Sequence, residues 1–157
     1  MQMHTLVFVT FVLCYQFQIL FLGCGDLRNP LQATSLTKES HFKILDIHLN
    51  DLNASVMARN IVMLKILSAS DFNPYDQEDL SFLWDVWYNA EWPEITRKRF
   101  KEALKQLLDG SMPENVVMTN SNQFQILREV WTSWYSSIAT NDHSELELFM
   151  KKIRNER

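Results

Sequence analysis

The sequence predicts an α/β fold, with a partial parallel sheet in the N-terminal half and a helical C-terminal half. Three observations carry this. A continuous apolar run, Phe17 to Leu22, ends in the turn Gly23-Cys24-Gly25. A second run with β-branched residues, Phe42 to Leu49, follows after a short helical segment. Beyond Leu67, apolar residues recur mainly at helical spacing.

The first run reads as a buried strand, because parallel strands covered on both faces are unbroken apolar stretches. Two glycines close it and permit tight backbone geometry. Asn29 is placed to cap a helix with Pro30 at its first position, giving a helix from Pro30 to about Ser35. Phe42 to Leu49 is the second strand, ending at Asn50-Asp51. Asn53 caps the next helix, Ala54 to Leu67, with Val56, Met57, Ile61, Leu64 and Leu67 on one side. Strand, helix, strand, helix in this order opens an α/β sheet with a right-handed crossover. Helices then follow over Glu78–Ala90, Ile95–Asp109 and Phe124–Ile138, with Gly110 ending the second. Leu146, Phe149, Met150 and Ile153 mark a last amphipathic helix. Glu114 to Met118 is a candidate short strand, and Pro113 to Asn122, rich in Asn and Ser, an exposed connection. The domain boundaries that follow are an apolar extension over 1–16, one α/β domain over 17–138 and a C-terminal helix over 139–157.

The 157 residues are 46% apolar and 22% charged, which is one domain's worth of core and excludes a disordered chain. A net charge of −4 argues against nonspecific nucleic-acid binding driven by counterion release. Two cysteines and four scattered histidines build no zinc cluster by local spacing. No metal site is expected.

Residues 1–25 contain no Asp, Glu, Lys or Arg, so two readings stand side by side. A secretory signal or membrane anchor fits the hydrophobicity of Leu6 to Leu22. Against it, no Lys or Arg precedes the run, Gln16 and Gln18 interrupt it, and no small-residue pair marks a cleavage site. The sequon Asn53-Ala54-Ser55 has meaning only if the chain is secreted. The expectation is a cytoplasmic chain without membrane contact, with a secreted or membrane-associated chain, held through residues 1–22, as the alternative.

A strand ending in Gly-x-Gly, a helix after it and an acid at the end of the next strand form a nucleotide-site layout. Gly23 and Gly25 would let a ligand approach the backbone, the helix N-terminus attracts anions, and Asp51 would accept hydrogen bonds from ribose hydroxyls. Asp26 completes the candidate cofactor-binding set, with S-adenosylmethionine as the cofactor considered. The third glycine of the dinucleotide fingerprint is replaced by Arg28, and Phe21 stands where methyltransferases carry an acid. Asp26 and Arg28 pair equally well with each other, and Arg59 reaches the start of its helix or the Gly25 turn. No catalytic residue is assigned. Cys24 has no His or Asn beside it in sequence to make it a nucleophile. His41 and His48 face opposite sides of the second strand. Trp84, Trp87, Trp92, Trp131 and Trp134 fall at core spacing; Trp87 or Trp134, if solvent-facing, would mark a partner surface.

Leu22-Gly23-Cys24-Gly25-Asp26-Leu27-Arg28-Asn29, then Leu49-Asn50-Asp51, Ala58-Arg59-Asn60 and Leu83-Trp84-Asp85-Val86-Trp87-Tyr88-Asn89 carry a family likeness. Over roughly Gln18 to Leu108, the chain resembles an uncharacterised domain family. That family lies at the N-terminus of dynein axonemal assembly factor 3 and accompanies MYND zinc fingers in other proteins. The resemblance implies a Rossmann-like, methyltransferase-resembling scaffold without established activity and, for the assembly factor, a role in cytoplasmic preassembly of axonemal dynein. The two cysteines here make no MYND finger. Three functions follow as expectations: a non-catalytic interaction domain with protein partners, an S-adenosylmethionine- or nucleotide-binding protein, and a secreted or anchored helical protein.

Overall fold

The computed structural model describes residues 7–11, 16–37, 44–89 and 91–139. Strand β1 spans Val7–Phe11, β2 Gln16–Leu22, helix α1 Arg28–Thr37, β3 Ile44–Asp51 and α2 Ala54–Leu67. Then come α3 Gln77–Tyr88, α4 Glu94–Leu108, the short strand β4 Val116–Met118 and α5 Ser121–Ala139. The chain is therefore mixed α/β, with helices dominating after β3.

The strands form one sheet in the order β2-β3-β1-β4. β2 and β3 pair in parallel, with Ile19 opposite Ile47 and Leu22 opposite Asn50, across the α1 connection. The apolar run is a strand with the parallel partner expected of it, but it is not the buried strand its continuous apolar sequence suggests. Among the described residues it lies at the edge of the sheet, paired with β3 alone, and Leu20 and Leu22 stay exposed. The sheet is nevertheless mixed, because β1 runs antiparallel to both β3 and β4. β1 lies inside the 1–16 segment that has no assigned role in the sequence reading. A five-residue strand whose only partners lie far along the chain carries little local signal. The short strand foreseen within Glu114–Met118 is β4.

The chain divides into two compact units. The first comprises Met1–Asn60 and Glu114–Leu127, the second Ile61–Pro113 and Arg128–Arg157. In the first unit Leu27, Ile47, Leu49, Met57 and Ala58 are buried. In the second, Phe82, Val86, Phe100, Leu104, Trp131 and Trp134 are buried, with the Phe100 ring tilted against both Trp92 and Trp134. Leu20 and Leu22 on β2 remain exposed.

Local chemistry sets the helix ends. Asn53 accepts the Ser55 N–H with its side chain and the Met57 N–H with its carbonyl, capping α2 as expected. At α1 the expectation fails. The helix begins at Arg28, one residue before Asn29, because the Asp26 carboxylate accepts the Arg28 N–H at 2.9 Å. Pro30 then falls within the first turn, where its missing N–H still has no intrahelical role. Asp76 caps α3 by accepting the Glu78 N–H. Gly110, at φ +90°, closes α4 with paired bonds from Gly110 to Leu107 and from Ser111 to Gln106. Phe42, Ala90 and the last amphipathic segment, 146–153, lie outside the described residues.

Gly23 and Gly25 both hold φ +59°, and a Cβ at either would meet nothing within 4 Å. The glycines serve backbone conformation, not room. Gly23→Ala and Gly25→Ala are each expected to cost about 1–2 kcal/mol, and Gly23→Asn less, because Asn tolerates this conformation. Urea denaturation midpoints check this ranking.

Candidate functional site

Every residue of the glycine corner belongs to the first unit. β2 and β3 end side by side, and Cys24 extends their ladder by donating its N–H to the Asn50 carbonyl at 3.0 Å. The left-handed glycines then turn the next peptide toward the end of β3. Gly25 donates its N–H to Asp51 Oδ2 at 3.0 Å. The other oxygen, Asp51 Oδ1, accepts the Asn53 N–H at 2.9 Å, so one carboxylate joins the glycine corner to the start of α2. The Gly25 carbonyl in turn accepts Arg59 Nη2 at 3.0 Å and Asn60 Nδ2 at 3.3 Å. Both polar groups of Gly25 are thus held by side chains from β3 and α2.

The structure brings Gly25 and Asp51 together and leaves Gly23 as a conformational element of the turn. Asp26 pairs with Arg28 twice over, accepting its N–H and its guanidinium, with Nη2 at 2.6 Å. Burial alone would raise the Asp26 carboxyl. The Arg28 side chain and N–H, helped by the Arg59 charge, hold it below its ordinary value. Arg59 reaches the Gly25 turn from α2, as its position suggests. Asn60 is fully buried, and among the described residues its Oδ1 accepts no hydrogen bond.

Cys24 is a free thiol with Sγ at 3.7 Å from Met57 Sδ and 3.6 Å from Asn60 Nδ2. Burial, then the Asp51 carboxylate, push its pKa from 9.0 up to about 11. A thiol protonated at neutral pH is a poor nucleophile. His48 lies on β3 between the buried Ile47 and Leu49, on the opposite side of the strand from both. His41 lies outside the described residues. Among the described residues no three His, Cys, Asp or Glu side chains are placed to share a metal ion. No helix among them is long and apolar enough to cross a membrane.

The second unit carries a separate feature. Asp85, buried on α3, accepts Thr96 Oγ1 at 2.6 Å and the Asn89 side-chain amide, which ties α3 to the start of α4. Asp79 accepts the Asn73 N–H at 2.6 Å and pairs with Arg99 of α4, whose guanidinium lies over the Phe82 ring. Beside these contacts a groove of about 430 Å3 opens between α3 and α4, walled by Phe82, Pro93 and Ile95 and by Asp85, Thr96 and Arg99.

The tryptophans divide sharply. Trp92, Trp131 and Trp134 are buried, as their core spacing suggests, and Trp87 is half-buried, so Trp134 does not mark a partner surface. Trp84 is 60% exposed and its ring lies tilted against that of Tyr88, centroids 4.6 Å apart. Spacing alone could not single it out, since Trp84 and Trp87 both fit a helical apolar stripe. The missed signal is that Leu80, Trp84 and Tyr88 form a second row, one turn apart each, beside the buried Phe82 and Val86.

A family model described as "Domain of unknown function (DUF4470)" matches residues 9–92, from β1 through the glycine corner to the end of α3. No curated protein and no solved structure matches the chain.

Two outcomes follow. Alkylation of the Cys24 peptide by iodoacetamide, followed by mass spectrometry, is expected to stay slow at pH 8 and to rise toward a midpoint near 11. The Asn73 N–H and the Arg99 charge hold the Asp79 carboxyl below its usual 3.8, so the stability it contributes is complete above that value. That stability is lost as pH falls through the lowered folded-state value. The difference in melting temperature between the parent and Asp79→Asn should therefore be widest near neutrality and shrink in strong acid.

Proposed function

The chain belongs to this family of domains of unknown function, and we propose that it works as a non-catalytic interaction or scaffold domain on a Rossmann-like frame. The carrying observation is the Gly25–Asp51 hydrogen bond. In a nucleotide site the acid at the second strand's end stays available to ribose hydroxyls, and the glycine N–H groups face phosphate. Here the acid spans the gap itself, with one oxygen on the Gly25 N–H and the other on the Asn53 N–H. Arg59 and Asn60 cover the Gly25 carbonyl. These residues fit a closed structural corner better than a S-adenosylmethionine or nucleotide cradle, and no reaction step is drawn through such a group.

The raised Cys24 pKa supports the same reading, because it leaves the corner without a ready nucleophile. The exposed aromatic row on α3 supplies what an interaction domain needs, a large apolar contact outside the core. Protein partners in the cytoplasm, with preassembly of axonemal dynein as the particular process, are the form of this function that the family resemblance implies.

One observation favours the second reading, a cofactor-binding protein. Asn60 Oδ1 is buried near the Gly25 carbonyl without a hydrogen-bond donor among the described residues. The residue is wholly enclosed, which suits a single small donor more than a sugar ring.

Calorimetric titration with S-adenosylmethionine, S-adenosylhomocysteine and ATP separates the two. The expected outcome is no saturable heat, together with a loss of about 1–3 kcal/mol of folding stability in Asp51→Ala as the Gly25 and Asn53 N–H groups lose their acceptor. Saturable binding that Asp51→Ala weakens would sink the scaffold reading.

A further inference from the structure

α3 carries two apolar surfaces, one buried and one largely exposed. Phe82 and Val86 are buried. Leu80, Trp84 and Tyr88 recur every fourth residue and are 43%, 60% and 47% exposed. Spacing by four places the three on one side of the helix, along about 12 Å of its axis. Gln77 and Ser81 lie between this row and the groove walled by Phe82, Pro93 and the exposed Ile95. An aromatic ridge with an apolar groove at its flank is the shape that receives one face of a helix.

Charge selects the partner. α3 contains no Lys or Arg. Asp76 and Glu78 are exposed at its start and Glu91 just beyond its end. Arg99, the cation that lines the groove among the described residues, pairs with Asp79, and on α4 Lys98 pairs with Glu94 while Arg97 donates to the Trp92 carbonyl. A surface that is apolar in the middle and acidic at both ends repels a second copy of itself and anionic lipid, and attracts a basic segment. We propose that this face of α3, with the groove beside it, docks a basic amphipathic helix of a protein partner. The proposal rests on the interaction-domain reading and supplies its partner chemistry. An apolar side chain of the partner fills the groove over Phe82 and Ile95, its neighbours one turn away pack on Trp84 and Tyr88, and flanking Lys or Arg residues meet Glu78 and Glu91.

The test uses the full chain and a fluorescein-labelled synthetic helix with leucines at i, i+3, i+4 and i+7 and lysines elsewhere, read by anisotropy. A matched peptide with glutamates for the lysines is the control. The lysine peptide is expected to bind at least about tenfold more tightly than its control and to lose about tenfold or more with Trp84→Ala, as buried aromatic anchors do. Glu78→Lys should weaken it as well. Because Glu78 is exposed, that variant decides the matter if Trp84→Ala does not fold. Equal binding of the two peptides overturns the proposal, and so does binding unchanged in the folded variants. Sedimentation that shows a dimer lost in Trp84→Ala overturns it in favour of a second copy. Trp84-dependent flotation with phosphatidylcholine vesicles overturns it in favour of a lipid surface. None of these outcomes bears on the nucleotide titrations, so failure here leaves the scaffold reading standing and failure there is seen separately.

Discussion

The Gly25 peptide is the point on which the first unit turns. A chain leaving one strand for a helix must reverse direction inside a partly buried corner, and buried backbone N–H and C=O groups have to be paired. Left-handed φ at Gly23 and Gly25 aims the Gly25 N–H at β3 and its carbonyl at α2. The Asp51 carboxylate and the Arg59 and Asn60 side chains then complete the pairing. Asp51 also holds the Asn53 N–H at the start of α2, so one side chain couples the end of β2, the end of β3 and the first turn of α2. Remove that carboxylate and three elements lose a shared restraint.

This arrangement shows how the residues of a nucleotide-site layout can instead form a closed corner. Glycines after a strand and an acid after the next strand are needed for a phosphate-and-ribose site, but they also make a corner that satisfies itself. The difference lies in the distance between the acid and the glycine N–H. At 3.0 Å the two bond to each other, and a ligand would first have to break that bond. The Cys24 thiol in the same corner is kept protonated by burial and by the Asp51 charge, two effects that work in the same direction.

In the second unit the polar contacts between α3 and α4 settle which side of α3 is left outside. Asp85 bonds Thr96, and Asp79 pairs with Arg99 beside Phe82, which turns Phe82 and Val86 inward. Leu80, Trp84 and Tyr88 then have no place within the core. An exposed Trp packed against a Tyr presents much apolar area at small loss of side-chain freedom, which suits recognition of another surface.

Residues acting over short range made themselves legible in the sequence. The apolar run ending in glycine is a strand, its parallel pairing with β3 follows from the helix between them, and Asn53 caps α2 because its side chain needs only the next few N–H groups. Gly110 stops α4 for the same reason. Asn29 misled because Asp26, two residues before Arg28, captured the Arg28 N–H first. What only tertiary structure decided involves partners far along the chain. The antiparallel addition of β1 between β3 and β4, the closing of the Gly25 corner by Asp51, Arg59 and Asn60, and the exposure of Trp84 while Trp134 is enclosed all depend on such contacts. Helical periodicity places Trp84 on an apolar stripe, but a stripe becomes core only where another element covers it, and coverage is not encoded in spacing.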